Sequence, residues 1–152
     1  MRAQLPKTPA NMNAAQEGEA ALMKELRKMN IYTFKWPQDM DSGIDLVGFA
    51  TLFDEKEPNA TGAATAFVAG FQSKGTDDHF TVENRRSVPI GLHRDYWSTA
   101  GLPVFVTKVS NDGAALLVED ASSFLLENDT ERQSIPTTVS IASAEADIRL
   151  RM

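Results

Sequence analysis

The chain has 152 residues, 42% of them hydrophobic and 24% charged, with a formal net charge of -6, which fits one ordinary globular domain and argues against a non-specific coat protein for nucleic acid. There is no cysteine, so disulfides, thiolate catalysis and thiolate zinc sites are excluded, in keeping with a reducing cytoplasm. His79 and His93 are the only histidines, so any metal must be held by oxygen, which favours Mg²⁺, Mn²⁺ or Ca²⁺.

The N-terminal MRAQLPKTPANMN has no apolar stretch of the kind a secretory signal needs, and no apolar run reaches the roughly 20 residues of a membrane span. Residues 1–12 are expected to be a loose arm and 13–152 a single domain. The spacing predicts a helix from Ala14 to Met29, with Asn13 as cap and Gln16 as its capping-box partner. On a helical wheel centred on Ala15, Leu22, Leu26 and Met29 fall within roughly 40° and form an apolar stripe, and Glu19 lies on that stripe. IYTFKW, closed by Pro37, reads as a first strand. After the turn QDMDSG, Ile44 to Phe53 is a second strand. DEKEPNATGAA is a polar loop, and Thr65 to Lys74 a third strand, paired antiparallel with the second. PIGLHRDYWSTA reads as a short helix, and LPVFVTKVS as a fourth strand with Pro103 at its start, where strands tolerate proline. Asn111-Asp112-Gly113 is a turn into a fifth strand, AALLVED. TTVSIAS is expected as a last strand and AEADIRLRM as a terminal helical turn. This order predicts an α/β (α+β) domain in which helices flank a mixed, mainly antiparallel sheet.

One feature of the third strand is odd. A mostly apolar run, TAFVAGF, ends in Gln72-Ser73-Lys74. Side chains alternate along a strand, so Gln72 and Lys74 share a face with Val68 and Gly70, while Phe67, Ala69, Phe71 and Ser73 take the other. Antiparallel pairing brings the start of the second strand, with Asp45, beside the end of the third. Glu19 reaches the same place if its helix packs across this sheet. Burying such groups separately is costly. Together, two carboxylates and an amide oxygen can bind a hard divalent cation, and a lysine beside them can hold or deprotonate a water and contact a phosphate. That set suits phosphodiester hydrolysis.

A Glu on the first helix, then Ser42-Gly43-Ile44-Asp45, then Phe71-Gln72-Ser73-Lys74 at a strand end resembles the PD-(D/E)XK nuclease superfamily. More closely, it is similar to a bacterial family within it that carries a GID…QxK signature and is related to the Mrr-type restriction endonucleases. DYWSTAGLPVFVTKVS and TTVSI resemble that family too, so the likeness runs over about residues 14 to 142. It implies a restriction-endonuclease-like fold and a Mg²⁺- or Mn²⁺-dependent nuclease acting on DNA, or on RNA, in phage defence or mobile-element biology, as a homodimer or larger complex. It makes Asp45 the central metal ligand and Lys74 the catalytic lysine. Gln72 takes the place where the superfamily more often has an acid, Glu19 becomes a supporting carboxylate, and the Ser73 carbonyl a further ligand. Gln72 leaves the site one negative charge short of the usual pattern.

Each residue also has an ordinary reading. Lys74 can be a solvated strand end, Asp45 a surface acid, and Glu19 an acid answering the helix dipole. Asp41 reads as a turn residue, and Asp77 and Asp78 as solvated loop. His79 and His93 read as surface or hydrogen-bonded histidines, and Tyr96 and Trp97 as core anchors. Arg85, Arg86, Arg94 and Lys108 form a basic rim or a set of solvated cations. A non-catalytic binding module on the same fold is the rival expectation.

Overall fold

The computed structural model describes residues 10–37, 43–52, 63–76, 87–110, 116–127 and 134–152. The first helix, α1 (Ala10–Lys28), starts four residues before the expected Ala14, so Asn13 lies inside it rather than at its cap. Nothing in Ala10-Asn11-Met12-Asn13 breaks a helix. Arg27 and Lys28 occupy its last turn, where cations answer the helix dipole. Asn30 then takes a left-handed conformation, φ 60°, and turns the chain into β1 (Ile31–Lys35). Asparagine is one of the few side chains that accepts this position.

The chain continues through β2 (Leu46–Leu52), β3 (Ala63–Thr76), β4 (Ser87–Pro89), a 3-10 turn (Gly91–His93), α2 (Arg94–Thr99), β5 (Val104–Ser110), β6 (Leu116–Asp120), α3 (Ala121–Glu127), β7 (Ser134–Pro136), β8 (Val139–Ser140) and α4 (Glu145–Arg151). Six strands form one sheet in the order β1-β2-β3-β5-β6-β8, and β4 and β7 pair separately. β3 and β5 run parallel, and the remaining neighbours in both sheets are antiparallel. A parallel pair needs a long crossover, and here that crossover carries β4 and α2. The class is mixed α+β, as the element order predicts.

Two cores lie on the two faces of the main sheet. On one, Leu22, Leu26 and Met29 of α1 and Ile148 of α4 bury against Leu46, Ala69, Phe71, Phe105, Val109 and Val118. The expected apolar stripe of α1 is thus the face it buries, and each fully buried leucine contributes about 1.5–3 kcal/mol. On the other face, Trp97 and Leu125 bury against Ile44, Val104 and Val106, with Val88, Ile90 and Ile135 closing the cluster. β5 is buried on both sides, which explains its near-continuous apolar run. Phe71 and Phe105 are register partners and stack at 5.6 Å.

Three elements were not expected: β4, whose Pro89 the sequence places in the following helix, α3 and β7. α3 follows Asp120, whose carboxylate accepts hydrogen bonds from Ser123 N and Ser123 Oγ, both at 3.0 Å. This is an N-cap arrangement. β7 escaped notice because only three residues form it. The expected last strand, TTVSIAS, shrinks to Val139–Ser140. Ile141 turns inward and Ala144 N donates to Ser140 O at 3.1 Å, which starts α4. The turn at Asn111-Asp112-Gly113 and the loop DEKEPNATG lie outside the described residues. Among the described residues, no helix is long and apolar enough to cross a membrane.

Gly48 provides a direct test of this packing. A Cβ there would sit 2.8 Å from Ile31 Cγ2 and 2.9 Å from Phe71 Cε2. Both neighbours are fully buried. Gly48→Ala should therefore destabilise the fold by about 1–3 kcal/mol through overpacking, measured by urea unfolding. Unchanged stability would mean that the helix-side core has room the packing denies.

Candidate functional site

β2 enters the sheet through Gly43, which has φ 69°. Only a residue without Cβ fits there: a Cβ would lie 2.7 Å from His93 Cγ and 2.8 Å from Trp97 Nε1. Trp97 Nε1 in turn donates to Gly43 O at 3.3 Å. The turn before Asp45 is thereby pinned to α2.

Asp45 follows two residues on. Its backbone N donates to Phe71 O at 2.8 Å, and its carbonyl accepts from Trp36 N at 2.8 Å. Its side chain then does what the next strand residue would have done, as Asp45 Oδ2 accepts from Ser73 N at 2.7 Å. The carboxylate satisfies a backbone donor where β2 gives out. One of its oxygens is thus committed to the fold.

Register sets the neighbours. Leu46 pairs with Phe71, where the β2–β3 ladder ends; Asp45, just before it, bonds Phe71 O through its N and Ser73 N through its carboxylate. Trp36 N bonds Asp45 O on the other side. Gln72 pairs with Val106, and Val106 with Glu119. Gln72, Val106 and Glu119 therefore form one cross-strand row on the face of Trp97 and Val104, with Asp45 held beside its β3 end. In the next row, Lys74 is the register partner of Lys108.

Gln72 is 3% exposed, and its Oε1 finds no hydrogen-bond partner among the described residues, nor does the buried Nε1 of Trp36. A buried unpaired acceptor is costly. Lys74 is exposed. Lys108 Nζ donates to Ser87 O at 3.2 Å. The His93 ring stacks on Trp97 at 5.3 Å.

Burial pushes the Asp45 carboxyl above its ordinary value, against the Ser73 N–H and the nearby positive charges of Lys74 and His93, which pull it down. Lys74 is therefore close enough for its charge to bear on Asp45. Burial lowers Lys108, and the Lys74 charge lowers it further. Glu119 is raised by burial and by the charges of Asp120 and Glu127, with the Asp120 N–H acting the other way.

Asp45, Gln72 and Lys74 thus come together at one end of the sheet. Glu19 takes a different place. It pairs with Lys35 Nζ at 3.6 Å, and α1 packs on the face that carries Phe71, opposite the face of Gln72 and Lys74. The physical reason is the stripe itself: the residues that bury α1 also carry Glu19 to that side. The Ser73 side chain points to the same side as Phe71, and its buried Oγ has no hydrogen-bond partner among the described residues, while its N–H binds Asp45. Asp41, Asp77, Asp78, His79, Arg85 and Arg86 lie outside the described residues. Trp97 is a fully buried anchor.

The donor set accommodates a hard cation of modest affinity. The free lone pairs of the Asp45 carboxylate and the unpaired Gln72 Oε1 are oxygen donors of the kind that Mg²⁺ and Mn²⁺ take. Among the described residues no group of three or more His, Cys, Asp or Glu is arranged around a metal. An ion here would rest on one carboxylate and one amide and keep several waters, as Mg²⁺ commonly does.

Two contributors escaped the sequence reading. His93 was read as a surface or hydrogen-bonded histidine with no part in the site, yet it lies four residues before Trp97, a spacing that stacks side chains on one helical face. Trp36 was read only as the end of a strand, although Tyr32, Phe34 and Trp36 alternate with polar Thr33 and Lys35. No protein-family model, curated protein or solved structure matches the chain.

Proposed function

We propose that this protein is a metal-dependent nuclease of the PD-(D/E)XK type that hydrolyses phosphodiester bonds in DNA. The reading rests on one observation: a buried Gln72 with an unpaired Oε1 directly precedes Ser73, whose N–H holds the Asp45 carboxylate, with Lys74 next on the Gln72 face and close enough for its charge to act on Asp45. Nothing in ordinary packing calls for that arrangement, and the order of these residues is the one the resemblance leads one to look for.

Asp45 and Gln72 would hold the ion. A bound Mg²⁺ or Mn²⁺ supplies positive charge to the phosphate and acidifies a water. Lys74, exposed beyond Gln72 on the same face, orients a water or a phosphate oxygen and offsets the negative charge that builds up as the bond breaks. Burial raises the Asp45 carboxyl on balance, while the Ser73 N–H and the charges of Lys74 and His93 act the other way, toward the ionised form that a cation takes. Lys108 adds a second cation beside the phosphate path. With one carboxylate and one amide, the site fits a single ion better than two.

The wider reading follows the same resemblance: a cytoplasmic enzyme of phage defence or mobile-element biology, acting as a homodimer or within a larger complex that supplies target choice. A second reading has one observation in its favour. Gln72 in place of an acid leaves the site one charge short, which suits a nuclease fold retained only to bind nucleic acid or a protein partner.

Incubating the protein with linear duplex DNA, single-stranded DNA and RNA in Mg²⁺, Mn²⁺ or EDTA tests the proposal. The expected result is cleavage of DNA that needs the metal and stops in EDTA. Binding without cleavage in either metal would move the protein to the second reading.

A further inference from the structure

The face that carries Asp45 and Gln72 is covered unevenly. Over β5 and β6 it is closed by α2, α3 and the β4–β7 pair. Over β1 the described residues leave Phe34 exposed, while Trp36 and Val47 pack against the covered cluster and Ile44 and Leu102 lie over Gly70. Tyr32, Phe49 and Val68 form one row, with the Arg27 guanidinium 5.2 Å from the Tyr32 ring. Phe34, Val47 and Gly70 form the next. Trp36 N bonds Asp45 O beyond it, and Lys74 and Lys108 pair on β3 and β5. The face therefore runs from aromatic side chains to a pair of lysines. Phe34 is 63% exposed and meets Phe49 edge-on, with ring centroids 5.7 Å apart.

Phe34 leaves a mostly exposed ring, set edge-on against Phe49, on which a flat ligand can lie. The neighbouring charges point to what that is. In a chain of net charge -6, two lysines are set side by side on adjacent strands at one end of the aromatic rows. They repel each other, and an anion between them relieves that repulsion. A ligand with flat apolar groups at one end and anionic groups at the other matches this surface. A single strand of nucleic acid has both, and every base has a face for an aromatic ring. A duplex keeps its bases stacked and offers mainly phosphate.

We propose that the β1 side of this face, where Phe34 is exposed, is a platform for single-stranded DNA, with bases on Phe34 and Phe49 and the backbone led past Trp36 to Lys74 and Lys108. Side chains on one face of a strand repeat at about 6.6 Å, so Phe34 is one repeat from Trp36, whose N bonds Asp45 O. A base stacked on Phe34 belongs to a nucleotide close to the phosphate at Asp45. That last placement rests on the nuclease reading; the platform itself does not.

Binding of a short labelled oligothymidylate, followed by fluorescence anisotropy in EDTA, tests the platform without cleavage. Phe34→Ala should weaken binding about tenfold, since losing a base–aromatic stack costs a factor of this order. Phe34→Tyr, which keeps the ring, should bind like wild type, and a matched duplex should be indifferent to both changes. Lys108→Ala should lower the slope of log affinity against log salt by about 0.7. The ring of Phe34 is mostly exposed, so the variants fold, which circular dichroism verifies.

Oligothymidylate binding unchanged in Phe34→Ala overturns the platform, as does a wild type that prefers duplex. So does a Phe34→Ala variant whose only change is a smaller sedimenting mass, which would make the face a contact between two copies. The two readings separate cleanly. Binding lost in Phe34→Ala, with no cleavage by wild type in Mg²⁺, upholds the platform and sinks the nuclease. Metal-dependent cleavage with binding unchanged in Phe34→Ala does the reverse.

Discussion

Lys74→Ala is expected to lower DNA cleavage by about 10²–10⁴-fold while leaving the fold intact. Groups that move a proton or stabilise developing charge at the reacting centre carry effects of this size. Lys74 is exposed, and exposed substitutions of this kind usually change stability by no more than about 0.5 kcal/mol, so lost activity cannot be assigned to unfolding. Lys74→Arg separates the two roles of the residue. Arginine keeps the charge but does not give up a proton in the working range. If Lys74→Arg retains most of the activity, the charge is what matters; if it falls with Lys74→Ala, proton transfer is. A second consequence follows from the electrostatics. The Lys74 charge is one of the influences that lower the Asp45 carboxyl. Its removal should move the pH at which metal first binds upward. Cleavage by Lys74→Ala at the wild-type rate would take Lys74 out of the mechanism.

The parts of the fold that were legible are those written in a period. The stripe of Leu22, Leu26 and Met29 identifies the buried face of α1, and IYTFK, LVGFATL and the strand ending in Lys74 have strand composition along their length. Alternation alone separates Phe71 from Gln72 and Lys74, and the pairing of a hairpin brings Asp45 to the end of its partner strand. What was not legible depends on distant chain. That β5 runs parallel to β3 follows from where the crossover lies, which no local pattern states. α3 is seven residues long and too short to show a helical period. It is held by tertiary bonds: Ser122 Oγ donates to Trp97 O at 3.1 Å and accepts from Val104 N at 2.9 Å. Glu19 shows the limit most clearly. Its position on the apolar stripe was read correctly, but the stripe faces the other side of the sheet, where Lys35 meets it. A wheel tells which residues share a side, not which side of a sheet receives them. The place of His93 near Asp45 came into view only when α2 was laid beside it.

Asp45→Asn is expected to have opposite effects on stability with and without metal. Burial raises the folded-state pKa of Asp45 above its ordinary value, so folding favours the protonated form. The stability this acid contributes is present at low pH and is lost as pH rises through the raised folded value. At neutral pH the ionised carboxylate is therefore a net cost to the metal-free fold. Asparagine removes the charge and keeps an oxygen that can accept from Ser73 N. Metal-free Asp45→Asn should melt higher than wild type at neutral pH, and the difference should shrink as pH falls and Asp45 takes up its proton. With Mg²⁺ the order reverses. A cation bound only to the folded state at 100 times its dissociation constant stabilises by about 2.7 kcal/mol, which for a chain of this size raises the melting temperature by roughly 5–11 °C. Wild type should show that rise and Asp45→Asn should lose most of it, together with cleavage. Thermal melts in EDTA and in a Mg²⁺ series, at neutral and acidic pH, read both effects. A variant that melts lower without metal would mean that the Ser73 contact outweighs the burial cost. One that keeps the full Mg²⁺ rise would place the ion elsewhere and leave Asp45 as a strand cap alone.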